Sequence, residues 1–296
     1  MNSKVNVYQV VTDRIIDELE KGVIPWQKPW VGTHGAVSHS TGRPYSFMNQ
    51  LLLQRPGEYI TFNQCAAEGG TIRKGEKSSV VVFWKQQVIR ELNTTTGEYE
   101  EKKIPFLRYY RVWHIDQCDG IKAKYAQTPA AGATPVEAAE SIVDDYLQRE
   151  GVKLSYIGGD RACYIPAFDR VEMPTREQFT STAELYSTLF HELGHSTGHK
   201  SRLNRFSTGA AAAAFGSDDY GREELVAEIC AASILNQIGI ETVHSFRNSA
   251  SYIDNWLKAI RGDNKLIVSA AGRAEKAAAL ILGGTPQEGG DGQCLA

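Results

Sequence analysis

The stretch HELGHSTGHK, residues 191–200, holds three of the chain's seven histidines within nine positions. His191 and His195 are four apart, which on a helix puts both imidazoles on one face, one turn from each other. Two imidazoles at that spacing can hold one divalent metal at about 2.0–2.1 Å. Glu192 points to the neighbouring side of the same turn, where a carboxylate can take a proton from a metal-bound water. This is the HExxH arrangement. Two histidines four apart also occur on ordinary solvated helices, but the flanking YSTLF is largely apolar and buries the turn. Buried His and Glu without partners are costly, whereas a metal satisfies them.

A catalytic site of this kind takes one more protein ligand and leaves the fourth position open. His199 extends the row, but it follows Gly198, which is expected to end the helix. The longer metzincin pattern would place its third histidine at 201, where this chain has Ser201. The second candidate is the carboxylate pair Glu224 and Glu228, one turn apart in REELVAEICAA. That pair resembles the gluzincin metallopeptidases. The resemblance implies that Glu224 is the third ligand and that Glu228 hydrogen-bonds a ligand histidine and orients it. The reverse assignment stays open. Arg222 and Glu223 read as a charged helix face. Zinc is the default ion, and two imidazoles plus a carboxylate also accept manganese and other divalent metals. The implied chemistry is metal-assisted hydrolysis with Glu192 shuttling the proton.

These residues need elements to hold them. FTSTAELYSTLFHELGHSTG (179–198) is expected to be a helix, opened by a Ser181-x-x-Glu184 capping box. REELVAEICAASILNQIG (222–239) is a second helix, followed by helices over 251–260 and 271–282. Before them lie a helix carrying Ala139, Ile142, Val143, Tyr146 and Leu147, and two short strands, KLSYIGG and ACYIPAFDRVEMP. The second strand is a candidate edge for an extended peptide. In the first half, Val7, Val11, Ile15 and Leu19 recur every fourth position over 5–21 and mark an opening helix. Short helices are expected over 47–54 and 61–70. SSVVVFWKQQVIREL (78–92) and IPFLRYYRVWHI (104–115) read as paired strands around a polar turn. The fold class is α+β in two domains: 1–128, a nucleic-acid-binding domain; 129–286, a zincin-like domain; and a disordered tail, 287–296. The Pro/Ala/Gly-rich change of composition puts the linker near 126–136.

Charge is divided unevenly. Residues 1–128 carry 17 Lys and Arg against 13 Asp and Glu, and residues 129–296 carry 15 against 22. The basic half also has aromatic residues interleaved with its cations. PWQKPW sets Trp26 and Trp30 around Lys28. Arg43 and Tyr45 follow, then Arg73, Lys74 and Lys77 in IRKGEKS. Single-stranded nucleic acid needs a cationic groove for phosphates and flat rings for unpaired bases. Trp84 and Trp113, on strands, are expected in the core. The five scattered cysteines form no Cys-x-x-Cys pair, which argues against a disulfide framework and for a reducing compartment. The N-terminus has no apolar h-region, and no apolar run is long enough to span a bilayer. A cytoplasmic location without membrane contact is expected.

LEKGVIPWQKPW, TGRPYSFMNQLLL, TFNQCAAEGGTIRKGEKSSVVVFW, YIPAFDRVEMP, FHELGHSTGHKSRLNR and EELVAE occur in that order. This series resembles the ArdC antirestriction proteins of conjugative plasmids, over nearly the whole of residues 5–285. The first half is similar to a domain at the N-terminus of some plasmid primases. The resemblance implies a single-stranded-DNA-binding domain, a zincin-like metallopeptidase domain with an unknown protein substrate, and protection of incoming conjugative DNA from restriction. The alternative is a non-catalytic DNA shield whose metal site is structural. The intact Glu192 argues for retained chemistry, because a scaffold needs only the ligands. The ligand assignment has a direct check. Glu224→Ala is expected to lose bound metal in elemental analysis, and His199→Ala to keep it; the opposite pattern would transfer the third ligand to His199.

Overall fold

The computed structural model describes residues 6–26, 35–53, 55–92, 99–125, 134–208, 218–240 and 249–284. The chain opens with α1 (Val7–Glu20), whose buried stripe is Val11, Ile15 and Leu19. Asn6 caps it by accepting the Gln9 N–H. A four-stranded sheet follows, built from β1 (Ala36–Ser38), β2 (Gly57–Thr61), β4 (Ser79–Leu92) and β5 (Tyr99–His114) in the order β1-β2-β5-β4. Two helices connect these strands: α2 (Phe47–Leu52) and α3 (Phe62–Ala67). Thr61 caps α3 through a complete capping box with Gln64. Strands β3 (Thr71–Ile72) and β6 (Cys118–Asp119) form a separate antiparallel pair.

Sequence and structure differ at several points here. β5 starts at Tyr99, so YEEKK, expected in the turn, is ladder: Arg90 pairs with Glu101 and Leu92 with Tyr99. A ladder is built from backbone N–H and C=O groups, so charged residues can join it. β1 and β2 add to the expected strand pair. They are short and pair in parallel, Ala36 with Gly57 and Ser38 with Tyr59, across about twenty residues of intervening chain. Buried His39 ties this region together. Its Nδ1 lies 2.6 Å from Glu58 and its Nε2 3.0 Å from Glu68. Glu58 also accepts the Lys124 and Tyr125 N–H groups.

In the second half, α4 (Pro135–Glu150) starts from a capping box between Thr134 and Glu137, so the expected linker yields to helix by Pro135. Residues 126–133 and the tail, 285–296, lie outside the described residues. Three strands follow: β7 (Lys153–Tyr156), β8 (Cys163–Ile165) and β9 (Arg170–Met173), in the order β7-β9-β8. The single strand expected over 162–174 is thus a hairpin, turned at Pro166–Phe168 with Asp169 in the left-handed region. Val171 and Met173 are fully buried, and α5 (Thr182–Ser196) packs against β8 and β9. Its capping box is half formed. Ser181 accepts the Glu184 N–H, but the Glu184 carboxylate takes the Thr180 N–H instead. Then come α6 (Asp218–Ile238), α7 (Ser249–Gly262) and α8 (Leu266–Ile281). No helix among the described residues is long and apolar enough to cross a membrane. Cys65, Cys118, Cys163 and Cys230 are free.

The two halves share one hydrophobic cluster. Val11, Ile15, Trp26 and Leu51 pack in it with Leu225, Trp256 and Ile267. Trp26 is fully buried, edge-to-face with Trp256 at 5.0 Å between centroids. Thr12 Oγ1 donates to the Asn264 carbonyl at 2.8 Å, and the Phe47 N–H donates to Glu275 at 3.2 Å. Trp26 is therefore not the platform for bases that its place beside prolines suggests. It belongs to the seam between the halves. Truncation to Trp26→Ala is expected to cost about 3–5 kcal/mol, read from urea unfolding. A loss below about 1 kcal/mol would contradict its place in the core.

Candidate metal centre

The centre forms where α5 crosses α6. Gly194, between Glu192 and His195, is the point of closest approach. A Cβ built on it would lie 3.3 Å from the Ala227 Cα and 3.5 Å from the Ala227 carbonyl oxygen. A side chain there would make the two helices give by a few tenths of an ångström. α5 ends at Ser196, and Gly198 makes room for the Phe206 ring, whose nearest carbon would sit 2.7 Å from a Cβ there.

The crossing brings Glu224 to the histidine pair. The Nε2 atoms of His191 and His195 are 3.1 Å apart, and each lies 3.4 Å from a Glu224 carboxylate oxygen. Four ligands placed tetrahedrally at about 2.05 Å from a metal are about 3.3 Å from one another. The two Nε2 atoms are close to that spacing, and Glu224 turns its Oε2 to His191 and its Oε1 to His195, so the three side chains converge as ligands of one divalent ion would. Among the described His, Cys, Asp and Glu side chains they are the group that brings one donor atom each within 4.8 Å of the others. His199 stands apart: its Nδ1 is 2.8 Å from Ser201 Oγ and 4.0 Å from Asp169.

Burial and charge set the state of these groups. Burial disfavours a charged His195, but the carboxylates of Glu223 and Glu224 outweigh it and push its pKa up to about 10. His191 also shifts upward, because Glu224 prevails over burial. Burial likewise opposes ionisation of Glu224, yet contact with both imidazoles holds its carboxyl far below the usual carboxylate range. Glu228 has no such partner. Burial pushes its pKa up to about 7, and its Oε2 makes no hydrogen bond. Its expected role as the hydrogen-bonding orienter of a ligand histidine is thus not what the structure has.

Glu223 occupies that position instead. Its Oε1 faces His195 Nδ1 at 3.6 Å, and the group is only 8% exposed. Arg205 holds it with two hydrogen bonds, at 2.6 and 3.1 Å, and anchors itself on Thr197 Oγ1 and the Gly194 carbonyl. By sequence Glu223 reads as part of a solvated face. Its one signal there is adjacency to Glu224, which on a helix ordinarily points elsewhere. Glu192 is held by a backbone group that no motif encodes: the Tyr164 N–H of β8 donates to its Oε2 at 2.7 Å. Tyr164 is fixed in turn, its hydroxyl donating to Asp169 at 2.7 Å, while buried Arg202 clamps Asp169 and the Ser196 carbonyl. β8 is an edge strand, with β9 on one side and Glu192 on the other.

The residues nominated for DNA are scattered. Arg43, Arg73, Lys74 and Lys77 are not buried. Arg73 is engaged by Glu76 and Asp119 at 3.4 and 3.6 Å. With Lys77 and Arg55 it lines a cavity of about 620 Å³. Tyr45 is buried against Tyr59 and Phe83, so it offers no face to a base. Lys28 and Trp30 lie outside the described residues. Trp84, expected in the core, is 42% exposed; Trp113 is half-buried beside Ile60, Cys65 and Cys118.

The helix pair, the three donors and the adjacent carboxylate define a zincin-like metallopeptidase domain, and the family model of that description matches residues 141–273. A second model, the N-terminal domain of anti-restriction factor ArdC, matches residues 5–113. The crystal structure of the antirestriction ArdC protein from plasmid R388, metal-free, is 36% identical, with a TM-score of 0.71 over 94% of this chain and 97% of that one. Its Mn(II)-bound structure matches over the same extent at 34% identity. The chain belongs to the ArdC antirestriction family. It is also 33% identical to the DNA primase TraC of Escherichia coli over 93% of its length, but spans only 20% of that primase. It is 29% identical to the uncharacterized protein y4eC of Sinorhizobium fredii, covering 92% of this chain and 90% of that protein. The Glu223 contact has a measurable consequence. Glu223→Gln is expected to weaken divalent-metal affinity by about 10–100-fold, measured by competition with a chelating dye. Unchanged affinity would leave Glu223 with a purely structural role.

Proposed function

We propose that this protein is a plasmid antirestriction factor that binds single-stranded DNA and carries a metal-dependent peptidase site, protecting conjugative DNA from restriction in the recipient cytoplasm. The observation that carries the reading is the set of donor spacings, 3.1 and 3.4 Å, beside Glu192. Family membership supports the antirestriction role, and similarity to the N-terminal ArdC domain and to primases supports nucleic-acid binding. The functional division follows the chain: residues 1–128 serve DNA and residues 129–286 the metal site.

His191, His195 and Glu224 hold the ion. Zinc fits the tetrahedral spacing, and the R388 relative holds Mn(II). When bound, the ion supplies Lewis acidity, lowering the pKa of water and polarising a scissile carbonyl. Glu192 accepts and returns the proton at its Oε1, since Oε2 stays fixed by the Tyr164 N–H. Arg205 and Glu223 keep the His195 ring oriented. β8 is the edge strand beside the site, and its outer backbone groups other than the Tyr164 N–H, which Glu192 holds, are suited to an extended peptide.

One observation favours a second reading, a DNA shield with a structural metal site. Glu192 already serves the fold by anchoring β8. Glu192→Gln separates the two, because the amide oxygen still accepts the Tyr164 N–H while the base is lost. The variant is expected to retain metal, to lower any peptidase rate by about 10²–10⁴-fold, and to lose protection in conjugation into a restricting host. Protection equal to wild type would establish the shield.

A further inference from the structure

β4 and β5 run on together well past the rest of the sheet. β2 pairs with β5 only at Val112–His114, whereas the β4–β5 ladder continues out to Leu92 opposite Tyr99. An isolated two-stranded ribbon is marginal in water, so this outer stretch is suited to a partner that covers it. Its two strands carry six Lys and Arg against three Glu.

One face of the ribbon has a specific pattern. Lys85 lies opposite Phe106, Phe83 opposite Arg108, and Val81 opposite Tyr110. Residues directly opposite share a face, as do alternate residues along a strand. Rings and cations therefore alternate in a checkerboard. Lys85 Nζ sits 6.0 Å from the Tyr110 ring centroid, and the Arg108 guanidinium 5.5 Å from that of Phe106. Neither cation meets a carboxylate among the described side chains. The base of the face is closed by Tyr45, Tyr59 and Phe83, but Arg108 is exposed and Lys85, Phe106 and Tyr110 are half-exposed. The cavity around Arg55 and Arg73 differs, because Glu76, Asp116 and Asp119 match its arginines.

We propose that the ribbon face bearing Lys85, Phe106, Arg108 and Tyr110 is the surface on which single-stranded DNA lies, an assignment that rests on the DNA-binding reading above. Unmatched cations meet phosphates, and the rings stack on unpaired bases. A protein partner would gain little from two uncompensated cations unless it were acidic, whereas a nucleic-acid strand supplies both charges and flat faces.

The test is fluorescence anisotropy with a labelled oligothymidylate of about twenty nucleotides, between about 50 and 200 mM salt. The double variant Lys85→Gln/Arg108→Gln is expected to bind about tenfold more weakly at the lower salt. Its salt slope should fall by about 1.4, because two phosphates are no longer neutralised. Phe106→Leu should lose about fivefold or more in affinity through stacking, with the slope unchanged. Lys153→Gln, on the other half, serves as the control and should bind as wild type. Melting and metal content check that each variant is folded; Arg108→Gln alone, at an exposed side chain, replaces the double variant if that one does not fold. If wild type binds and the charge variants keep its affinity and slope, the ribbon is not the surface, though the DNA reading stands. If wild type shows no binding at the lower salt, the DNA reading fails and this assignment with it.

Discussion

The closeness of α5 and α6 at Gly194 is the constraint on which the site depends. A methyl group there would meet the Ala227 backbone at 3.3 Å. Only that approach lets a carboxylate on one helix reach two imidazoles on the other. The helices around it hold the geometry: α6 packs against α8, and α5 lies on the buried side of β9. Interiors are close-packed, so a shift of the crossing would be transmitted to all three donors.

Bringing His191, His195, Glu224, Glu223 and Glu228 into one buried place collects charge where water is scarce. The protein balances it in two ways. Arg205 neutralises Glu223, and Arg202 clamps the Asp169 turn that positions Tyr164. The carboxylates of Glu223 and Glu224 favour protonated imidazoles at His191 and His195 against burial. A divalent metal replaces those protons, which is how metal binding couples to both pH and folding. Glu228, with its unpaired oxygen and a pKa near 7, is a carboxyl that the ion's field would reach without direct hydrogen bonding.

The two halves do not behave as beads on a string. Trp26 and Trp256 lock into a common seam, and α1 and α2 lie against α7 and α8. A strand held on the first half would therefore have a fixed relation to the metal centre. Under the proposed DNA-binding reading, this shared seam would let the first half present substrates to the second rather than merely concentrate them.

The helical parts of this protein are legible because helical order is local. The four-residue spacing of His191 and His195 nominates the pair, and the step from Glu224 to Glu228 nominates the second helix; the fold brings three of those four side chains within hydrogen-bonding range of each other. What sequence does not reveal depends on residues far apart along the chain. Glu223 becomes a partner of His195 only through Arg205. Glu192 acquires its fixed oxygen from a backbone N–H with no side-chain signature. Trp26 and Tyr45, aromatic beside cations, look like base platforms until long-range packing buries them, while Trp84 comes to the surface. Periodicity follows from bonds a few residues long, but burial and the contacts behind the ligands follow from which elements close on which, and only the folded chain decides that.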